Sequence, residues 1–313
     1  MENQKTVNKK ILGHIAALLC AIIWGTTFIS TKVLLRSFTP VEILLIRFVL
    51  GFAALTVVRP RRLHLQSRSH EWYFVGAGLT GCMLYYLMEN VSLSYSTASN
   101  VGVIVSSAPL FTALFTAICF RERLRPSFFL GFCAAIAGIG LISFGGGDAV
   151  RVNPIGDVLA LIGAIAWGVY SVLCRKLSEY NYPTLEMTRH IFFYGVLFML
   201  PVAWFQGFSP APAALCQPVN LLNLAFLSFC ASALCFVTWN TAVKRIGAIR
   251  ASVYIYLSPV ITVVCAALFL SEHITRRSLL GTILVVLGLL LSEGRAPRKK
   301  ERNDPWSKVS EKN

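Results

Sequence analysis

Charged residues are scarce in this sequence, and acidic residues are the scarcer kind. Asp, Glu, Lys and Arg make up 14% of the 313 residues and hydrophobic residues 56%, whereas a soluble globular domain carries about 25% charged residues. The length alone would suggest about two soluble domains, but so few charges would leave a large apolar surface facing water. The composition therefore excludes a soluble protein.

Motifs for metal, cofactor or catalytic chemistry are also lacking. The nine cysteines show no CxxC or Cys/His spacing typical of a metal site, so we interpret them as small buried hydrophobic residues. The apolar stretches contain no HExxH motif, paired Asp residues or Ser/His arrangement that would indicate a membrane-embedded enzyme. We therefore expect neither a metal nor a cofactor, and a protein that is not an enzyme.

Ten apolar stretches are each long enough to form a helix that crosses a membrane, which needs about 20 predominantly apolar residues. They are residues 11–31, 39–58, 71–92, 98–120, 127–146, 155–174, 183–205, 220–243, 248–270 and 277–293. We predict an all-α integral membrane protein with ten transmembrane helices. The roughly 110 remaining residues are too few for an additional domain.

The distribution of Lys and Arg predicts the orientation of these helices. If the N-terminus is cytoplasmic, 22 of the 29 basic residues lie in cytoplasmic segments and 5 in outside loops, which is the positive-inside pattern. The formal net charge of +15 is then a signal of topology and indicates no nucleic-acid partner. We expect both termini in the cytoplasm; the two other basic residues, Arg47 and Arg189, fall inside spans.

The second half of the sequence repeats the first. An offset of 143 residues superposes Trp24 on Trp167. With seven residues inserted, an offset of 150 superposes Asn90 on Asn240. Helices 1–5 are thus duplicated as helices 6–10, and because five is odd, the second copy crosses the membrane in the opposite direction. Transporters use such inverted repeats for alternating access, with the substrate site near the membrane midplane.

This repeat divides the chain into four parts. We assign residues 1–10 to a cytoplasmic N-terminal segment, residues 11–146 to the first repeat and residues 155–293 to the second. Residues 294–313 are basic overall, polar and mixed in charge, which predicts a disordered cytoplasmic tail.

Several short motifs resemble a known family. The first copy carries Tyr95-Ser-Thr-Ala98, Ala108-Pro109-Leu110, Arg121-Glu122-Arg123-Leu124 and Gly131, and the second carries Ala248, Ser258-Pro259, Ser271-Glu272 and Gly281. Over residues 11 to about 293, the sequence resembles the duplicated repeat of the EamA family in the drug/metabolite transporter superfamily. The resemblance implies a ten-helix exporter of amino acids or related metabolites in the bacterial cytoplasmic membrane, without identifying the substrate.

Aromatic and polar residues within the spans are candidates for a substrate site. Trp24 and Trp167 lie in the middle of spans, where an indole N–H needs a partner, whereas membrane tryptophans usually lie at the interfaces. The other candidates are Tyr85, Tyr86, Asn100, Ser107, Tyr170, Tyr254 and Tyr256. Together they are typical of an apolar pocket with a few polar groups, although core packing explains each of them equally well.

Arg47 and Arg189 are charges within spans, which are costly in lipid and usually face a cavity or a partner. One interpretation makes the two arginines an anion clamp for a carboxylate or phosphate group of the substrate. The other makes them intramembrane ion pairs, or long side chains that reach the membrane interface.

Glu89, Asn90, Asn240, Pro109 and Pro259 are candidates for coupling and gating. Glu89 lacks an acidic counterpart in the second repeat, so it is our candidate for proton coupling, with an interfacial carboxylate as the alternative. The asparagines either gate one pathway or cap the hairpins that follow them. Each proline removes a backbone hydrogen bond and forms either a hinge beside the cavity or a packing kink.

Glu122 and Glu272 end the fourth and ninth spans. A carboxylate at such a position can accept backbone N–H groups at the start of the next helix and interact favourably with the helix dipole. We therefore predict a structural role for both residues.

These observations predict a secondary transporter that exports small metabolites such as amino acids by alternating access, with proton coupling as a hypothesis. An exchanger of anionic metabolites or nucleotide conjugates, with Arg47 and Arg189 as the clamp, is the alternative. A membrane-embedded enzyme is the alternative outside transport. The expected partners are a small-molecule substrate and the lipid bilayer, and the protein is either a monomer or a homodimer.

Overall fold

The computed structural model describes residues 2–121, 124, 126–143, 154–247, 251, 253–272 and 274–292, without the side chains of residues 2–9, 142–143, 253, 256, 278, 289 and 292. All regular secondary structure in these ranges is helical, which confirms the all-α prediction for this part of the chain. The long helical segments are α1 (Glu2–Leu34), α2 (Pro40–Val58), α3 (71–95), α4 (Ala98–Phe120), α5 (Pro126–Ser143), α6 (Pro154–Glu179), α7 (Thr184–Phe205), α8 (Pro218–Ile246), α9 (253–270) and α10 (Arg276–Ser292).

Six of these segments are long and apolar enough to cross a membrane. They lie at Lys10–Leu34, Pro40–Val58, Ala98–Phe120, Pro154–Glu179, Thr184–Phe205 and Pro218–Ile246. Shorter apolar helices lie at Pro126–Leu141, Ser258–Leu270 and Leu279–Gly288. The outer surface carries large apolar side chains such as Val57, Leu130 and Leu268, which are 82%, 70% and 72% exposed. Such a surface suits lipid rather than water.

The start of α2 shows how local sequence sets a helix boundary. Thr39 accepts a hydrogen bond on its Oγ1 from the backbone N–H of Glu42 at 3.3 Å, and its own N–H donates to Glu42 Oε2 at 2.8 Å. This reciprocal pair is a capping box. Pro40 follows at the first helical position, where its missing N–H costs no hydrogen bond.

Irregular turns occur at corresponding places in the two halves. The segments α3 and α8 each contain a π-helical stretch, at Gly78–Leu84 and Phe226–Leu234. In α4 a turn at Ser106 precedes a new helical stretch, and α9 begins with a 3₁₀ turn. Pro109 and Pro259 each lie in the first turn of the helical stretch that follows. Prolines are tolerated there, so the backbone breaks just before each proline.

The helix contacts keep the same pattern when each helix of the first half is exchanged with the helix five places later. The helix α1 packs against α8 and α9, and α6 packs against α3 and α4. The helix α2 contacts α7 and α8, α7 contacts α2 and α3, and α5 packs against α10.

Two glycines show this correspondence in atomic detail, because each lets a helix approach a π-helical stretch. A Cβ atom at Gly51 would lie 3.3 Å from the carbonyl oxygen of Ser228, and one at Gly195 would lie 3.6 Å from that of Gly78. Gly195 follows Gly51 by 144 residues and Ser228 follows Gly78 by 150, close to the offsets of the sequence repeat.

Candidate substrate-binding site

A cavity lies between helices of both halves, and side chains from α1, α3, α4, α6 and α9 line it. Its aromatic and polar lining includes Trp24, Thr27, Tyr85, Tyr86, Glu89, Ser106, Trp167 and Ser258. The cavity volume is about 40 Å³. Since one water needs roughly 10–15 Å³ of such volume, the cavity holds only a few waters in this conformation. A substrate as large as an amino acid requires a wider state of the same site.

Aromatic rings form the walls of this cavity. Trp24 and Trp167, which occupy equivalent positions of the sequence repeat, meet edge to face with ring centroids 5.4 Å apart. Tyr85 lies 4.8 Å from Trp167 and 4.6 Å from Tyr86, again between ring centroids. Edge-to-face and tilted contacts are the favoured geometries of aromatic pairs. The walls are therefore held in place by their own packing.

The indole of Trp24 has the hydrogen-bond partner that its position requires. Its Nε1–H donates to the carbonyl oxygen of Ala231 at 3.0 Å. Ala231 lies in the π-helical stretch of α8, where the backbone departs from regular α-helical pairing. The bond joins the first helix of one half to the π-helical stretch of the other.

Arg47 lies behind this aromatic wall. It is fully buried, its Nε–H donates to Ser232 Oγ at 2.5 Å, and its guanidinium carbon lies 4.1 Å from the centre of the Tyr86 ring. Nη1 and Nη2 have no hydrogen-bond partner among the described residues. A buried arginine with unused donors is costly in a protein interior, which marks this position for a role beyond packing.

Glu89 is the charged residue among those that line the cavity. Its side chain is 1% exposed, and Oε1 has no hydrogen-bond partner in the described part of the chain. Arg47 interacts with its carboxyl group electrostatically. Glu89 is therefore buried within the protein.

Arg189 lies at a different place, just beyond the end of α2 at Val58. Its Nη1 and Nη2 donate to the carbonyl oxygens of Arg59 and Arg61. The twelve positions from Arg47 to Arg59 correspond to roughly 18 Å along a helix axis. The two guanidinium groups thus have different partners in this conformation, and the anion clamp stays a prediction. Arg189 binds carbonyl groups of the segment that follows α2, at Arg59 and Arg61.

Polar side-chain contacts join α7 to its neighbours at the same end of the bundle. Arg59 Nε lies 2.6 Å from Glu186 Oε1, and His190 Nε2 lies 2.7 Å from Glu71 Oε1. The Tyr194 hydroxyl also donates to Glu71, at 2.5 Å. These side chains of α7 thus contact the end of α2 and the start of α3, outside the cavity.

Asn90 and Asn240 connect neighbouring helices. Asn90 Nδ2 donates to the carbonyl oxygen of Pro40 at 3.2 Å, and Asn240 Nδ2 donates to Thr188 Oγ1 at 2.9 Å. Both side chains are buried. These bonds join α3 to α2 and α8 to α7 instead of capping the hairpins, while a part in gating stays a prediction.

Glu272 accepts hydrogen bonds from the start of a helix, but from a different helix than expected. Its carboxylate accepts from the backbone N–H groups of Ala98 and Ser99, at 2.8 and 3.1 Å, and from the Ser99 hydroxyl at 2.7 Å. These residues begin α4, whereas sequence proximity suggested α10. Glu122 lies outside the described residues.

The other candidates are buried or engaged elsewhere and are not among the described lining residues. Ser107 Oγ donates to the carbonyl oxygen of Ile104 at 2.7 Å, and Tyr254 bonds His14 at 3.0 Å. Asn100 is buried near the start of α4, and Tyr170 is fully buried. The side chain of Tyr256 lies outside the description.

Sequence reasoning missed Ser232, the hydrogen-bond partner of Arg47, and Ser258 in the cavity wall. A comparison of the two halves could have singled out Ser232, because an offset of 150 places Cys82 at the equivalent position of the first half. The hydroxyl group is therefore a feature of the second half. Across residues 2–292, with their undescribed gaps, the structure contains no group of three or more His, Cys, Asp or Glu residues that could hold a metal ion.

Comparison with protein families gives a match over most of the chain. The model of the EamA-like transporter family matches residues 11–144 and 154–293. A solved structure, titled "Crystal structure of protein", aligns with a TM-score of 0.61 at 21% identity, covering 92% of this chain and 96% of that one. At this identity the likeness shows the fold.

Curated relatives are similar along almost their whole length. An "Uncharacterized transporter" of Archaeoglobus fulgidus is 30% identical over 89% of this chain and 96% of its own. A "Probable terminal-alkyne amino-acid exporter" of Streptantibioticus cattleyicolor is 26% identical over 93% of this chain and 96% of its own. A "Probable amino-acid metabolite efflux pump" of Escherichia coli is 23% identical over 89% and 93%.

Proposed function

Because this chain belongs to the EamA-like transporter family, and is thus a multi-pass membrane transporter of small metabolites, we propose that it is a secondary transporter that exports amino acids by alternating access. The observation that carries the proposal is the cavity at the contact of Trp24 and Trp167. Two relatives are named as an amino-acid exporter and an amino-acid metabolite efflux pump. The family and the named relatives point to a transporter and not to an enzyme.

The architecture we propose is a pair of inverted five-helix repeats, residues 11–146 and 155–293, with both termini in the cytoplasm. Three observations support it: the helix contacts that persist when the halves are exchanged, the π-helical stretches at corresponding positions, and the family model's match to residues 11–144 and 154–293. In such repeats the two halves exchange conformations about a central site, which suits a cavity lined from both.

Proton coupling through Glu89 is the finer part of the proposal. Glu89 is the charged residue of the described cavity lining, and a buried carboxylate in a membrane protein is a common proton carrier. A proton and the ammonium group of a substrate would compete for the same carboxylate. That competition would link substrate release to proton binding.

We favour amino acids over the anionic-metabolite alternative, because Arg189 binds the backbone of residues 59 and 61 instead of joining Arg47. A site built from Arg47 alone lies behind Tyr86.

Counterflow in proteoliposomes tests the proposed function. Vesicles loaded with one unlabelled amino acid are diluted into the same labelled amino acid, over the twenty standard amino acids. We expect saturable accumulation at least five-fold above protein-free vesicles for a subset of them. Counterflow equal to that of protein-free vesicles for all twenty would contradict the proposal.

The coupling hypothesis has its own measurement in the same vesicles. Counterflow of the best amino acid is recorded between pH 6 and 8 for the natural protein and for Glu89→Gln. We expect the pH dependence to disappear in the variant. An unchanged pH profile would show that Glu89 does not carry the proton.

A further inference from the structure

Arg47 and Glu89 are two buried opposite charges that do not bind each other directly. Their exposed fractions are 0% and 1%, and Arg47 Nη1 and Nη2 and Glu89 Oε1 have no hydrogen-bond partner among the described residues. The two groups nevertheless interact electrostatically. Together they contribute a formal charge of zero to the core around the cavity.

The two charges reach the cavity in different ways. Glu89 lines it directly, beside Tyr85 and Tyr86. Arg47 lies behind Tyr86, with its guanidinium carbon 4.1 Å from the centre of that ring and its Nε fixed by Ser232. Glu89 can therefore touch a ligand, while Arg47 acts on the site through its field and through the ring of Tyr86.

A carboxylate among aromatic rings is by itself a site for cations, because an ammonium group is attracted both by the carboxylate and by the faces of Trp and Tyr rings. A net negative cavity would favour a simple amine. Arg47 removes that preference, since the buried positive charge balances Glu89. A buried excess charge of either sign is strongly disfavoured in a low-dielectric interior.

We propose that the balanced pair Arg47 and Glu89 makes this site selective for zwitterions over cations and anions of the same shape. A zwitterionic amino acid leaves the total charge of the occupied site at zero, whereas an amine leaves it at +1 and a carboxylic acid at −1. The ammonium group faces Glu89 and the aromatic wall. This inference rests on the proposed transport of amino acids and adds the physical basis of the selectivity.

The proposal predicts a reversal of selectivity when either charge is removed. Arg47→Gln leaves the site with the negative charge of Glu89 and should favour an amine. Glu89→Gln leaves the positive charge of Arg47 and should favour an acid. Arg47→Lys keeps the charge and should keep the preference for zwitterions. A purely structural role of Arg47 would weaken all ligands alike.

Equilibrium binding to the purified full-length protein in detergent tests this at pH 8.5, above the range over which the proposed coupling protonates Glu89. The probes are leucine, isopentylamine, which is leucine without its carboxylate, and 4-methylpentanoate, which is leucine without its ammonium group. Phenylalanine, phenethylamine and 3-phenylpropionate form a second set. We expect the natural protein to bind one of the amino acids at least ten-fold more tightly than its two analogues.

In the variants the order of the analogues should change. We expect Arg47→Gln to bind the amine at least ten-fold more tightly than the acid, and Glu89→Gln to show the opposite preference. Lys176→Gln is the matched control, because Lys176 pairs with Glu179 away from the cavity, and its order should equal that of the natural protein. Each variant must elute as a monodisperse species and show a cooperative melting curve. Arg47→Lys and Glu89→Asp keep the charges and serve as conservative replacements.

The outcomes separate this inference from the proposed function. If the natural protein binds an amino acid but its amine or acid analogue equally well, the zwitterion inference is wrong while transport of amino acids stands. The same holds if the folded Arg47→Gln variant keeps the natural order of analogues. If neither amino acid binds at least ten-fold more tightly than its analogues, the zwitterion inference is wrong. If counterflow is absent for all twenty amino acids as well, both proposals are contradicted.

Discussion

In the first half of the molecule Phe48 packs against Tyr86 with ring centroids 5.2 Å apart, and in the second half Phe192 packs against Phe236 at 5.0 Å. The two pairs occupy equivalent positions of the repeat. Their surroundings differ in chemistry, since the first pair lies beside Arg47.

The neighbours of the second pair are apolar at the equivalent positions. The offset that relates Phe48 to Phe192 places Ile191 opposite Arg47, and the offset that relates Tyr86 to Phe236 places Trp239 opposite Glu89. Duplication has thus preserved the packing, while the charges lie in one half. At these positions the aromatic residues common to both halves form the packing, and Arg47 and Glu89, which differ between the halves, add charge near the cavity.

The largest effect is expected when Arg47 is replaced by isoleucine, the residue at the equivalent position 191 of the second half. Arg47→Ile leaves Glu89 buried without its compensating charge, and loss of one partner of a buried charge pair lowers the free energy of unfolding by about 3–5 kcal/mol. Adding Glu89→Gln should recover most of the loss. Denaturant titration in mixed micelles measures the free energy of unfolding of the single and the double variant. Ile191→Val is the matched control, and we expect it to lower that free energy by about 1 kcal/mol. A double variant as unstable as Arg47→Ile alone would show that the two charges do not compensate each other.

A second test concerns packing at the π-helical stretches. A Cβ atom at Gly81 would lie 2.2 Å from the ring of Tyr170, whereas the equivalent position of the second half is Ala231. We expect Gly81→Ala to lower the free energy of unfolding by about 1–3 kcal/mol through overpacking. Adding Tyr170→Thr to Gly81→Ala removes the ring that the new Cβ atom would meet and introduces the residue found at the equivalent position 27. We expect this second change to relieve part of the overpacking.

Gly140→Ala is the control for that experiment, because a Cβ atom there would have no neighbour within 4 Å. In a helix interior this change should be neutral or stabilising by roughly 0.5–1 kcal/mol. Equal destabilisation by both alanines, in the same denaturant titration, would refute the steric explanation.

The smallest expected effect concerns the bond that joins the two halves at the cavity. Trp24→Phe removes the indole N–H that donates to Ala231, and loss of one neutral hydrogen bond costs about 1 kcal/mol. Trp204→Phe is the control, since Trp204 is 84% exposed and such surface changes usually stay within about 0.5 kcal/mol. If Trp204→Phe lowered the melting temperature in micelles more than Trp24→Phe did, the role of this bond would be contradicted.

Much of the site was predictable from residue type and position. Trp24 and Trp167 are unusual in the middle of a membrane span, Tyr85 and Tyr86 add aromatic rings with hydroxyl groups, and Glu89 lacks an acidic counterpart in the second repeat. All five line the cavity. The family was recognisable for a similar reason, since motifs around prolines and glycines recur in both halves.

The failures concern side-chain partners distant in sequence. Arg189, like Arg47, is an arginine within a span, yet its guanidinium binds carbonyl groups about 130 positions earlier in the chain. Glu272 was expected to serve the following helix and instead accepts from Ala98 and Ser99. A long side chain covers several ångströms in any direction, so its own position in the sequence does not identify its partner.

Composition, apolar length and repeated motifs are properties of the chain alone, and they suffice to predict a helical membrane protein of a transporter family. They do not show which buried polar groups meet. Helix packing gives Arg47 and Arg189 different partners and places Arg47 behind Tyr86, whose ring lines the cavity together with Glu89. This follows because the energy of a buried charge depends on its neighbours in space, and helix packing sets those neighbours.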